Sequence, residues 1–492
     1  MMPQKPLRIF LLNVGLRRPL YPLATPPMGL LYLAAYLREH FDVDVRILNQ
    51  RVDNDSPESI TKQVVEFGAD VVGWSCFTTF AYLLGELSES VRKALPDALQ
   101  LLGGPHASAL GENALVGNVI DAAVPGEGEL AFEAILNARL DHGDLSGVPG
   151  LIRREADGSV VTNPGDVPLI EELDSLPMPA YDLIDMAAYW KRQSIAPVFR
   201  RRYVSLVSSR GCPYGCIWCH KIFGKRIRLH SAERIVEEVD YFKRQYGVDD
   251  FEFLDDNVNF KAERMVAFTE ALHERNLKLQ LAFPTAVRGD LMTDEVVDAL
   301  ADAGMYLCGY SLETGSTRLQ KFTGKHLDIP KFLDAVARTA RRHVYITGFC
   351  MMGFPTETEK ELQRTIDVAC ASKFHTASFF TVTPFPGTPL YDMVQRTHPE
   401  KLEHLDYNRM DFSAMKVNLT DLPNEVLYRY QRLAMRKFFL NPRRIASLLR
   451  AYPKPLQLPV YAPFFLHRAT KGLFERRRSS DAQTCPDSCS GA

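Results

Sequence analysis

The chain has 492 residues, of which 46% are hydrophobic, and this is enough for two or three domains with sizeable cores. Its formal net charge of −2 excludes the overall basic field of nucleic-acid-binding proteins, so no nucleic-acid partner is predicted. Nine mostly scattered cysteines argue against a disulfide framework. The N-terminus reads as a first strand and no apolar run reaches about 18 residues, so we expect neither a signal peptide nor a transmembrane helix, and a cytoplasmic location.

Residues 1–147 alternate short apolar runs with helical patterns. Strands are predicted at Arg8–Val14, Val45–Leu48, Val71–Cys76, Leu99–Leu102 and Ile120–Val124. This alternation predicts a Rossmann-like, doubly wound parallel sheet that binds its ligand at the carboxyl ends of the strands. Small or polar residues occur at these ends: Ser75, Gly103, Gly104, His106, Gly126, Glu127 and Gly128. Glycines there allow a large ligand to approach the backbone, although ordinary turns explain them equally well.

Residues 148–202 are irregular and rich in Pro, Asp and Gly, and they are predicted to form a linker with aromatic anchors. Strand–helix alternation resumes over 203–400. Strands are predicted near 203–209, 251–255, 279–285, 305–312, 345–352 and 377–383. Six such units predict an α/β fold of the partial (β/α)6 TIM-like type, open on one side, with its chemistry at the carboxyl ends of the strands.

The loop RGCPYGCIWCH follows the first of these strands and places Cys212, Cys216 and Cys219 in a C-x3-C-x2-C pattern. Thiolates are the usual ligands of iron–sulfur clusters, and four of them close a cubane cluster. Three cysteines therefore predict a 4Fe–4S cluster with one iron open to a further ligand. The residues alone also allow a zinc loop with His220 as fourth ligand, or three unrelated buried cysteines.

Other strand ends of this core carry polar residues or glycine. Asp255 follows the second strand, where its carboxylate can receive an ammonium group or cap a helix. Ser311 and Glu313 end the fourth strand, and Gly353 ends the fifth. Beyond the fifth strand, the spacing of Thr356 and Glu359 predicts a capping box at the next helix.

The cysteine loop, including the aromatic Trp218 before its last cysteine, resembles the cluster motif of the radical S-adenosylmethionine (SAM) enzymes. In that family SAM chelates the fourth iron, and one electron from the cluster cleaves it to a 5′-deoxyadenosyl radical. The resemblance implies that Ser311 and Glu313 lie near polar groups of SAM, and that Gly353 lies near its adenine.

Three stretches of the N-terminal region resemble the cobalamin-binding domain that precedes many radical SAM cores. They are PPMGLLYLAAYL (26–37), LLGGPHAS (101–108) and VPGEGELAFEAIL (124–136), and TPFPGTPLY (383–391) resembles the same subgroup. The D-x-H-x-x-G motif that gives cobalt a histidine ligand in many cobalamin proteins is absent. The resemblance thus implies cobalamin bound base-off without a histidine, while another nucleotide in this domain remains an alternative.

Residues 401–478 are predicted to form a helical region, in which 436–478 contains eleven Lys or Arg and the single acidic residue Glu475. Basic residues beside apolar ones can attach a helix to an anionic membrane. A helical cap over the open side of the barrel, with a solvated basic face, fits the same pattern. The tail over 479–492 is predicted to be disordered.

Together these features predict a cobalamin-dependent radical SAM enzyme that methylates an unactivated carbon of a lipid or natural-product intermediate, using a 5′-deoxyadenosyl radical and methylcobalamin. A reducing partner such as flavodoxin or ferredoxin and peripheral membrane contact are expected with it. No side chain is assigned as a general acid or base. The alternatives are a cyclase or hydroxylase of the same subgroup, a methylthiotransferase or a noncatalytic metal-binding protein. A methylthiotransferase needs further N-terminal cysteines, but Cys76 is the only cysteine before Cys212.

Overall fold

The computed structural model describes residues 5–17, 22–141, 143–198, 200–403, 405–409 and 417–459. The first sheet in these ranges contains β1 (Leu7–Val14), β2 (Val43–Asn49), β3 (Val71–Cys76), β4 (Leu99–Gly103), β5 (Ala122–Ala123), β6 (Ile152–Arg154) and β7 (Val160–Thr162). Its helices are α1 (Met28–His40), α2 (Gln50–Asp53), α3 (Pro57–Phe67), α4 (Leu84–Ala94), α5 (Gly104–Leu110) and α6 (Glu129–Leu140). The strand order is β2-β1-β3-β4-β5-β6-β7, with the first five strands parallel, and this confirms the doubly wound prediction.

The central strands of the first sheet, β1 and β3, are buried on both faces because they are largely apolar. In β1, Ile9 and Leu11 enter one core, whereas Phe10 and Leu12 enter another on the opposite face. Strands covered on both sides are typical of parallel sheets, whose crossover helices occupy both faces. This construction leaves the carboxyl edge of the sheet as the place for a ligand.

The predicted linker over 148–202 begins too early, because β6 and β7 belong to the first sheet. They form an antiparallel hairpin in which β6 also pairs with β5. Each strand has only three residues, and Arg and Thr occupy several of the positions. Segments this short give no recognisable alternation of polar and apolar residues.

The linker continues with α7 (Met186–Trp190), and the core follows with β8 (Tyr203–Leu206), β9 (Ser209–Arg210), β10 (Arg228–Leu229), β11 (Asp250–Phe253), β12 (Gln280–Val287), β13 (Met305–Glu313), β14 (Tyr345–Met352) and β15 (Thr376–Thr381). Its helices are α8 (Ala232–Tyr246), α9 (Ala262–Glu274), α10 (Asp294–Asp302), α11 (Thr317–Phe322), α12 (Ile329–Arg341) and α13 (Glu359–Ala371). The parallel order β15-β14-β13-β12-β11-β8 confirms the predicted partial barrel, and β9 pairs only with β10 among the described residues.

Both edges of the partial barrel are covered. Along β8, the Tyr181 hydroxyl accepts from the Ser205 N–H (3.1 Å) and donates to the Ser205 carbonyl (2.6 Å), while Trp190 Nε1 donates to the Tyr203 carbonyl (2.9 Å). The aromatic anchors of the linker therefore occupy backbone groups that an edge strand would otherwise expose.

The C-terminal region contains α14 (Pro389–Thr397), α15 (Glu400–Glu403), α16 (Asn424–Phe439) and α17 (Pro442–Ala451), and α16 covers the other edge of the barrel. Helix α16 packs against α13 and β15, and Gln431 Nε2 donates to Thr381 Oγ1 at 2.7 Å. This is the arrangement expected of a helical cap. The basic stretch beyond 459 and the predicted tail over 479–492 lie outside the described residues.

The amino end of the barrel is closed by a plug. Ala196, Val198 and Tyr452 pack against inward-facing residues of three strands, Ala282, Leu307 and Tyr345. None of the helices in the described ranges is both long and apolar enough to cross a membrane.

Candidate cofactor and active site

The carboxyl edges of the two sheets face each other. A Cβ atom on Gly387, in the segment after β15, would lie 2.6 Å from the Ala109 carbonyl oxygen of α5. A Cβ atom on Gly126, after β5, would lie 3.5 Å from the carbonyl oxygen of Ile222 beyond the cysteine loop. The ligand-binding edge of each sheet is thus brought against the other, which neither half of the sequence predicts alone.

The cysteine loop leaves the barrel at a tight neck formed by the β9–β10 pair. Gly211 adopts φ +88°, and a Cβ atom there would collide with the Arg226 carbonyl oxygen, so only glycine fits. Beyond it Cys212 is half-buried, Cys216 is buried and Cys219 is exposed. The Cys219 thiol donates to Cys216 and lowers the pKa of Cys216 to about 7 against the effect of burial, which favours the thiolate that metals bind.

Neighbouring strand ends support the cysteine loop. The Arg288 guanidinium lies 3.7 Å from the ring centroid of Tyr214, and the Trp218 ring packs 5.4 Å from that of Phe354. The backbone N–H of Ile217 donates to the Thr323 carbonyl at 3.0 Å. Trp218 therefore acts here as an apolar prop for the loop.

Within the part of the chain that the structure describes, no three His, Cys, Asp or Glu side chains meet closely enough to hold one metal ion. Cys216 and Cys219 are in hydrogen-bonding contact, and Cys212 interacts electrostatically with Cys216. The His220 ring lies 6.0 Å from that of Phe385.

Asp255 is buried at the carboxyl end of β11. Its Oδ1 accepts from the Ser208 N–H (3.0 Å) and from the hydroxyls of Ser208 (2.8 Å) and Ser209 (2.5 Å), whereas its Oδ2 is buried without a protein partner. Asn257 Oδ1 is also buried and unpartnered. Buried polar atoms left unpaired beside a cleft are available to a ligand.

Asp256 lines the concave end of the barrel. Its side chain is exposed, yet burial by surrounding protein, and then Asp255, raise its pKa to about 6. An exposed carboxyl group that is nevertheless largely desolvated lies inside a cleft. The sequence gives this residue only as a neighbour of Asp255.

Glu313 ends β13 in a strained conformation. Its φ is +61°, the register with β14 shifts between Ser311 and Glu313, and its carboxylate pairs with Lys325 Nζ at 2.9 Å. Strain of this kind in a residue other than glycine gathers at ligand sites. Ser311, two residues earlier on the inward face, is half-buried.

Gly353 lies in a turn held by a buried glutamate. It adopts φ +99°, and Glu357 Oε2 accepts from the N–H groups of Gly353 (2.6 Å) and Phe354 (3.0 Å). The predicted capping box is displaced by two residues, because Thr358 and Glu361 form it. Thr356 instead has φ +62°, which a helix N-cap does not adopt.

The carboxyl edge of the first sheet is open at some of the predicted positions and filled at others. Ser75 pairs in register with Gly103, where a Cβ atom would meet nothing closer than 4.0 Å. A Cβ atom on Gly104 would lie 2.9 Å from Ser75 Oγ, so this glycine is required by the protein's own packing. Phe77, directly after β3, is 51% exposed at this edge and offers an apolar surface for a large ring.

His106 and Gly128 are occupied by contacts within the protein. The His106 ring is buried in α5 with Nδ1 3.3 Å from Thr78 Oγ1, and burial lowers its pKa to about 4, so the ring is neutral. Gly128 precedes α6, and a Cβ atom there would lie 3.7 Å from Leu33.

Glu127 does not present a free carboxylate to a cofactor. It is buried and accepts from Arg210 Nη1 (3.0 Å) and Arg228 Nη1 (3.1 Å). Sequence reasoning missed both arginines, although Arg210 directly precedes the cysteine loop. Lys325 and Arg288 were missed too, because no motif marks them.

The residues fit the three predicted groups. The cysteine loop offers a thiolate-prone cysteine beside two others, the barrel end offers unpartnered buried oxygens for SAM, and the facing edge offers open space at Gly103 beside Phe77. The space between the two sheets is where cobalamin and SAM can meet.

Comparison with known proteins agrees with this arrangement. The B12 binding domain family matches residues 21–136, and the radical SAM superfamily matches residues 206–369. The chain is 29% identical over 451 residues to an uncharacterized methyltransferase of Pyrococcus horikoshii, covering 91% of this chain and 93% of that one. It is 30% identical over 422 residues to cytidylyl-2-hydroxyethylphosphonate methyltransferase of Streptomyces wedmorensis, covering 75% of this chain and 78% of that one. The chain belongs to the cobalamin-dependent radical SAM enzymes.

This membership identifies a methyltransferase whose cofactors are a 4Fe–4S cluster, SAM and cobalamin. The fold is shared with the solved structure of TsrM, a radical SAM methyltransferase of Kitasatospora setae, with a TM-score of 0.65 at 20% identity over 80% of this chain and 78% of that one. It is shared also with OxsB, with a TM-score of 0.72 at 15% identity over 95% of this chain and 76% of that one.

Proposed function

We propose that this enzyme methylates an unactivated carbon of a hydrophobic substrate bound inside the barrel. The observation that carries this proposal is the composition of the inner wall above the plug. Alternate residues of β14 and β15 face inward, because their neighbours Ile346, Cys350 and Phe379 pack beneath the helices. Half-buried side chains on the inward-facing positions of these two strands are mostly apolar, namely Phe349, Met351 and Phe380, with Ser378 on β15 and Ser311 on the neighbouring β13 as the hydroxyls.

This wall offers an apolar surface with few polar groups. The rings of Phe349 and Phe380 stack with centroids 6.1 Å apart, and Met351 lies above them toward the cysteine loop. A pocket lined by aromatic and aliphatic side chains with a few hydroxyls binds an apolar molecule and orients it by one or two polar atoms. A lipid or a natural-product intermediate has this character.

The relatives act on varied molecules, so they support methyl transfer more strongly than any one substrate. Hopanoid C-3 methylase of Methylococcus capsulatus, 25% identical over 399 residues, is named for a lipid, whereas the Streptomyces wedmorensis relative is named for a polar nucleotide conjugate. The apolar wall supports the hydrophobic class for this chain.

The residues have separate tasks in the proposed reaction. Cys212, Cys216 and Cys219 hold the cluster, and the oxygens of Asp255, together with Glu313, receive the polar groups of SAM. When bound, the cofactors supply hydrogen abstraction from an unactivated carbon and a methyl group for that carbon. The inner wall orients the substrate and excludes water from a reaction that needs no general acid or base.

The first sheet holds cobalamin without a histidine ligand in this proposal. His106 supports it because the ring is buried in α5 and lies near Thr78. Ser75, Gly103 and Gly126 are then the backbone positions that cobalamin approaches. Cob(II)alamin bound to the reconstituted protein should lack nitrogen superhyperfine coupling from a protein histidine in its electron paramagnetic resonance spectrum, and such coupling would refute this part.

Comparative mass spectrometry tests the reaction. Cells that express the enzyme and cells that express Cys219→Ala are extracted into organic and aqueous fractions. We expect a pair of compounds differing by one methylene, confined to the organic fraction of cells with the unaltered enzyme. The same pair in the aqueous fraction alone would refute the hydrophobic substrate while leaving methyl transfer intact.

The same experiment separates the alternative reactions. The anaerobic magnesium-protoporphyrin IX monomethyl ester cyclase of Rubrivivax gelatinosus, 24% identical over 427 residues, shows that a relative is named for ring formation. Loss of two hydrogens without a gain of methylene would identify a cyclase, and gain of one oxygen would identify a hydroxylase.

An acidic electron carrier such as flavodoxin or ferredoxin is the proposed reductant. The segment beyond Cys219 carries Lys221, which is half-buried, and Lys225, which is exposed. Exposed cations near the cluster steer an anionic partner toward it. Lys221→Glu with Lys225→Glu should slow SAM cleavage driven by flavodoxin, at least severalfold, but not cleavage driven by a small chemical reductant. Equal slowing of both would place the effect on the cluster and refute the docking surface.

Peripheral membrane contact is proposed for the outer face of α17. Ile445 and Leu449, one helical turn apart, are 45% and 54% exposed, and Arg443 and Arg450 are exposed on the same helix. Each basic residue near an anionic bilayer contributes about 1 kcal/mol to binding. A hydrophobic substrate would then be taken from the membrane.

Liposome flotation with Ile445→Ser and Leu449→Ser tests the membrane contact. Truncation before α16 is unsuitable, because it would uncover the edge of β15. We expect the unaltered chain to float with anionic vesicles and the double variant to remain unbound, whereas flotation should be unaffected by Tyr241→Ser, an exposed residue of α8. Equal, negligible flotation of all three would leave a soluble hydrophobic substrate as the better proposal.

A further inference from the structure

Four buried charges lie where the first sheet meets the cysteine loop. We call them the neck cluster, and its members are Glu127, Glu129, Arg210 and Arg228. Their side chains are between 1% and 6% exposed. Glu127 lies in the loop before α6, Glu129 is the first residue of α6, and the two arginines come from the β9–β10 pair.

The contacts of the neck cluster are mutual. Glu127 Oε2 accepts from both arginines, Arg228 Nη2 pairs with Glu127 Oε1, and Arg210 Nη2 donates to Glu129 Oε1 at 2.7 Å. A third segment joins them, since Arg228 Nη1 donates to the Ile170 carbonyl at 2.6 Å and the Ile170 N–H donates to Glu127 Oε2 at 3.2 Å. One carboxylate thus ties the first domain, the linker and the base of the loop together.

The two arginines occupy a special place in the core. Arg210 and Arg228 stand opposite each other in the antiparallel β9–β10 register. The segment 211–227 between them contains all three cysteines of the cluster motif. Whatever fixes these two arginines fixes both ends of the cysteine loop.

We propose that Glu127 is a positioning residue that acts through Arg210 and Arg228. It clamps the neck of the cysteine loop to the cobalamin-binding domain, so that the cysteines keep one placement relative to the edge of the first sheet. This role goes beyond the methyl transfer proposed above and does not depend on the identity of the substrate.

The neck cluster can fix the position of the loop because its hydrogen bonds have fixed directions. Apolar residues would join the two domains at lower desolvation cost, but they would tolerate sliding. A carboxylate held by two guanidinium groups accepts only one arrangement of its partners, because the planar groups bond along fixed directions. The neck cluster therefore contributes precision of placement more than strength.

Hydrogen–deuterium exchange of the full chain before cluster loading tests the clamp directly. Glu127→Gln should speed exchange of the amides of 212–224 by about tenfold or more, because the loop opens at its neck. The matched control is Glu252→Gln, another buried carboxylate with an arginine partner, at the plugged end of the barrel. It should leave the exchange of this loop unchanged.

The cluster-loaded protein gives a second readout. Loss of the Glu127 charge leaves the site more positive, which stabilises the reduced cluster, so Glu127→Gln should raise the midpoint potential whereas Glu252→Gln should not. Exchange equal to that of the unaltered chain, or equal acceleration by both variants, would overturn the proposal.

A compensated variant separates positioning from stability. Glu127→Gln combined with Arg228→Met removes one charge of each sign and leaves the Arg210–Glu129 pair. Its unfolding midpoint should recover toward that of the unaltered chain while exchange of the loop remains fast. Recovery of slow exchange together with the midpoint would show that Glu127 serves stability alone, and would overturn the inference.

Discussion

The two ends of the barrel use the same residue types in opposite ways. At the amino end, Arg201 donates to Asp250 and Ser194 (2.7 and 2.8 Å), pairs with Glu252, and lies beside the apolar plug. At the carboxyl end, Asp255 leaves one oxygen unpartnered and Asp256 is exposed in a cleft. Both carboxylates at the closed end are thus paired with an arginine, although Glu252 Oε1 and Arg201 Nε have no hydrogen bond, whereas Asp255 Oδ2 at the open end is left without a protein partner.

The difference teaches where stability and function lie in this molecule. At the closed end, removal of one partner would leave a buried charge uncompensated and destabilise the fold, whereas the unpaired oxygen of Asp255 at the open end keeps a cost that a ligand can offset. Barrels of this type carry chemistry at the carboxyl ends of their strands. In this protein, that end is also the one where a buried carboxylate oxygen is left for a ligand.

The largest expected effect comes from the open end. Replacing Cys212, Cys216 and Cys219 together by Ala should reduce iron content, cluster absorption and 5′-deoxyadenosine formation to background. The free energy of unfolding of the cluster-free chain should change by only about 1 kcal/mol, because two of the three thiols lie outside the core. An intact cluster in this variant would show that its ligands lie elsewhere.

At the closed end, a substitution should lower the stability of the fold instead of removing the cluster. Arg201→Ala leaves Asp250 and Glu252 buried without their cation, so it should lower the free energy of unfolding by about 3–5 kcal/mol in chemical denaturation. Arg202→Ala, at the exposed next position, should cost about 0.5 kcal/mol. Similar losses of unfolding free energy for Arg201→Ala and Arg202→Ala would show that the buried ion pairs at the closed end do not matter for stability.

Glu361 sharpens the comparison, because it is a satisfied carboxylate at the open end. Burial raises its pKa, but hydrogen bonds from Arg318, Ser316 and Thr358 outweigh burial and lower the pKa to about 2. A carboxyl group with a lowered pKa stabilises the fold above its unfolded pKa and loses this contribution as pH falls through its folded pKa.

The stability difference between the unaltered chain and Glu361→Gln should therefore be about 1–2 kcal/mol at pH 7, because solvent screens the half-exposed Arg318, and should shrink between about pH 5 and pH 2. Glu359→Gln, which breaks an exposed pair with Arg429, should cost at most about 1 kcal/mol. A pH-independent difference for Glu361→Gln would contradict the assignment.

The smallest expected effect concerns the covered edge of β8. Tyr181→Phe removes the partner of both backbone groups of Ser205 and should cost about 1–3 kcal/mol in denaturation. Tyr241→Phe, on the exposed face of α8, should lie within about 0.5 kcal/mol of the unaltered chain. Equal losses for Tyr181→Phe and Tyr241→Phe would show that the backbone groups of Ser205 find other hydrogen-bond partners.

Much of the fold was predictable because strand–helix alternation is a local signal. The predicted strand Val71–Cys76 agrees residue by residue with β3, and the range 345–352 agrees with β14. The hairpin of β6 and β7 was missed, since three-residue strands carry no periodicity. The capping box was displaced because Thr356 and Thr358 are both followed by Glu three residues later, and backbone conformation selects between them.

The site was predictable only in part. The cysteine pattern lies within ten residues and is visible in any reading of the chain. The partnership of Glu127 with Arg210 and Arg228 joins residues 83 and 101 positions apart, and the predicted role of Glu127 as a cofactor contact did not foresee it. Contacts across such distances are set by tertiary packing, which local patterns do not encode.

The plug at the amino end has a consequence for synthesis of the chain. Tyr452, whose hydroxyl donates to the Pro197 carbonyl at 2.9 Å, supplies a part of the barrel floor from a position about 70 residues beyond the last barrel strand, β15 (Thr376–Thr381). Domains fold as units while they emerge from the ribosome, so the barrel waits with an open floor until α17 and Tyr452 have been made. A ribosome that stalls between β15 and α17 therefore leaves a nearly complete barrel whose interior is exposed to water at its base, and such a nascent chain should depend on chaperones more than the finished enzyme does.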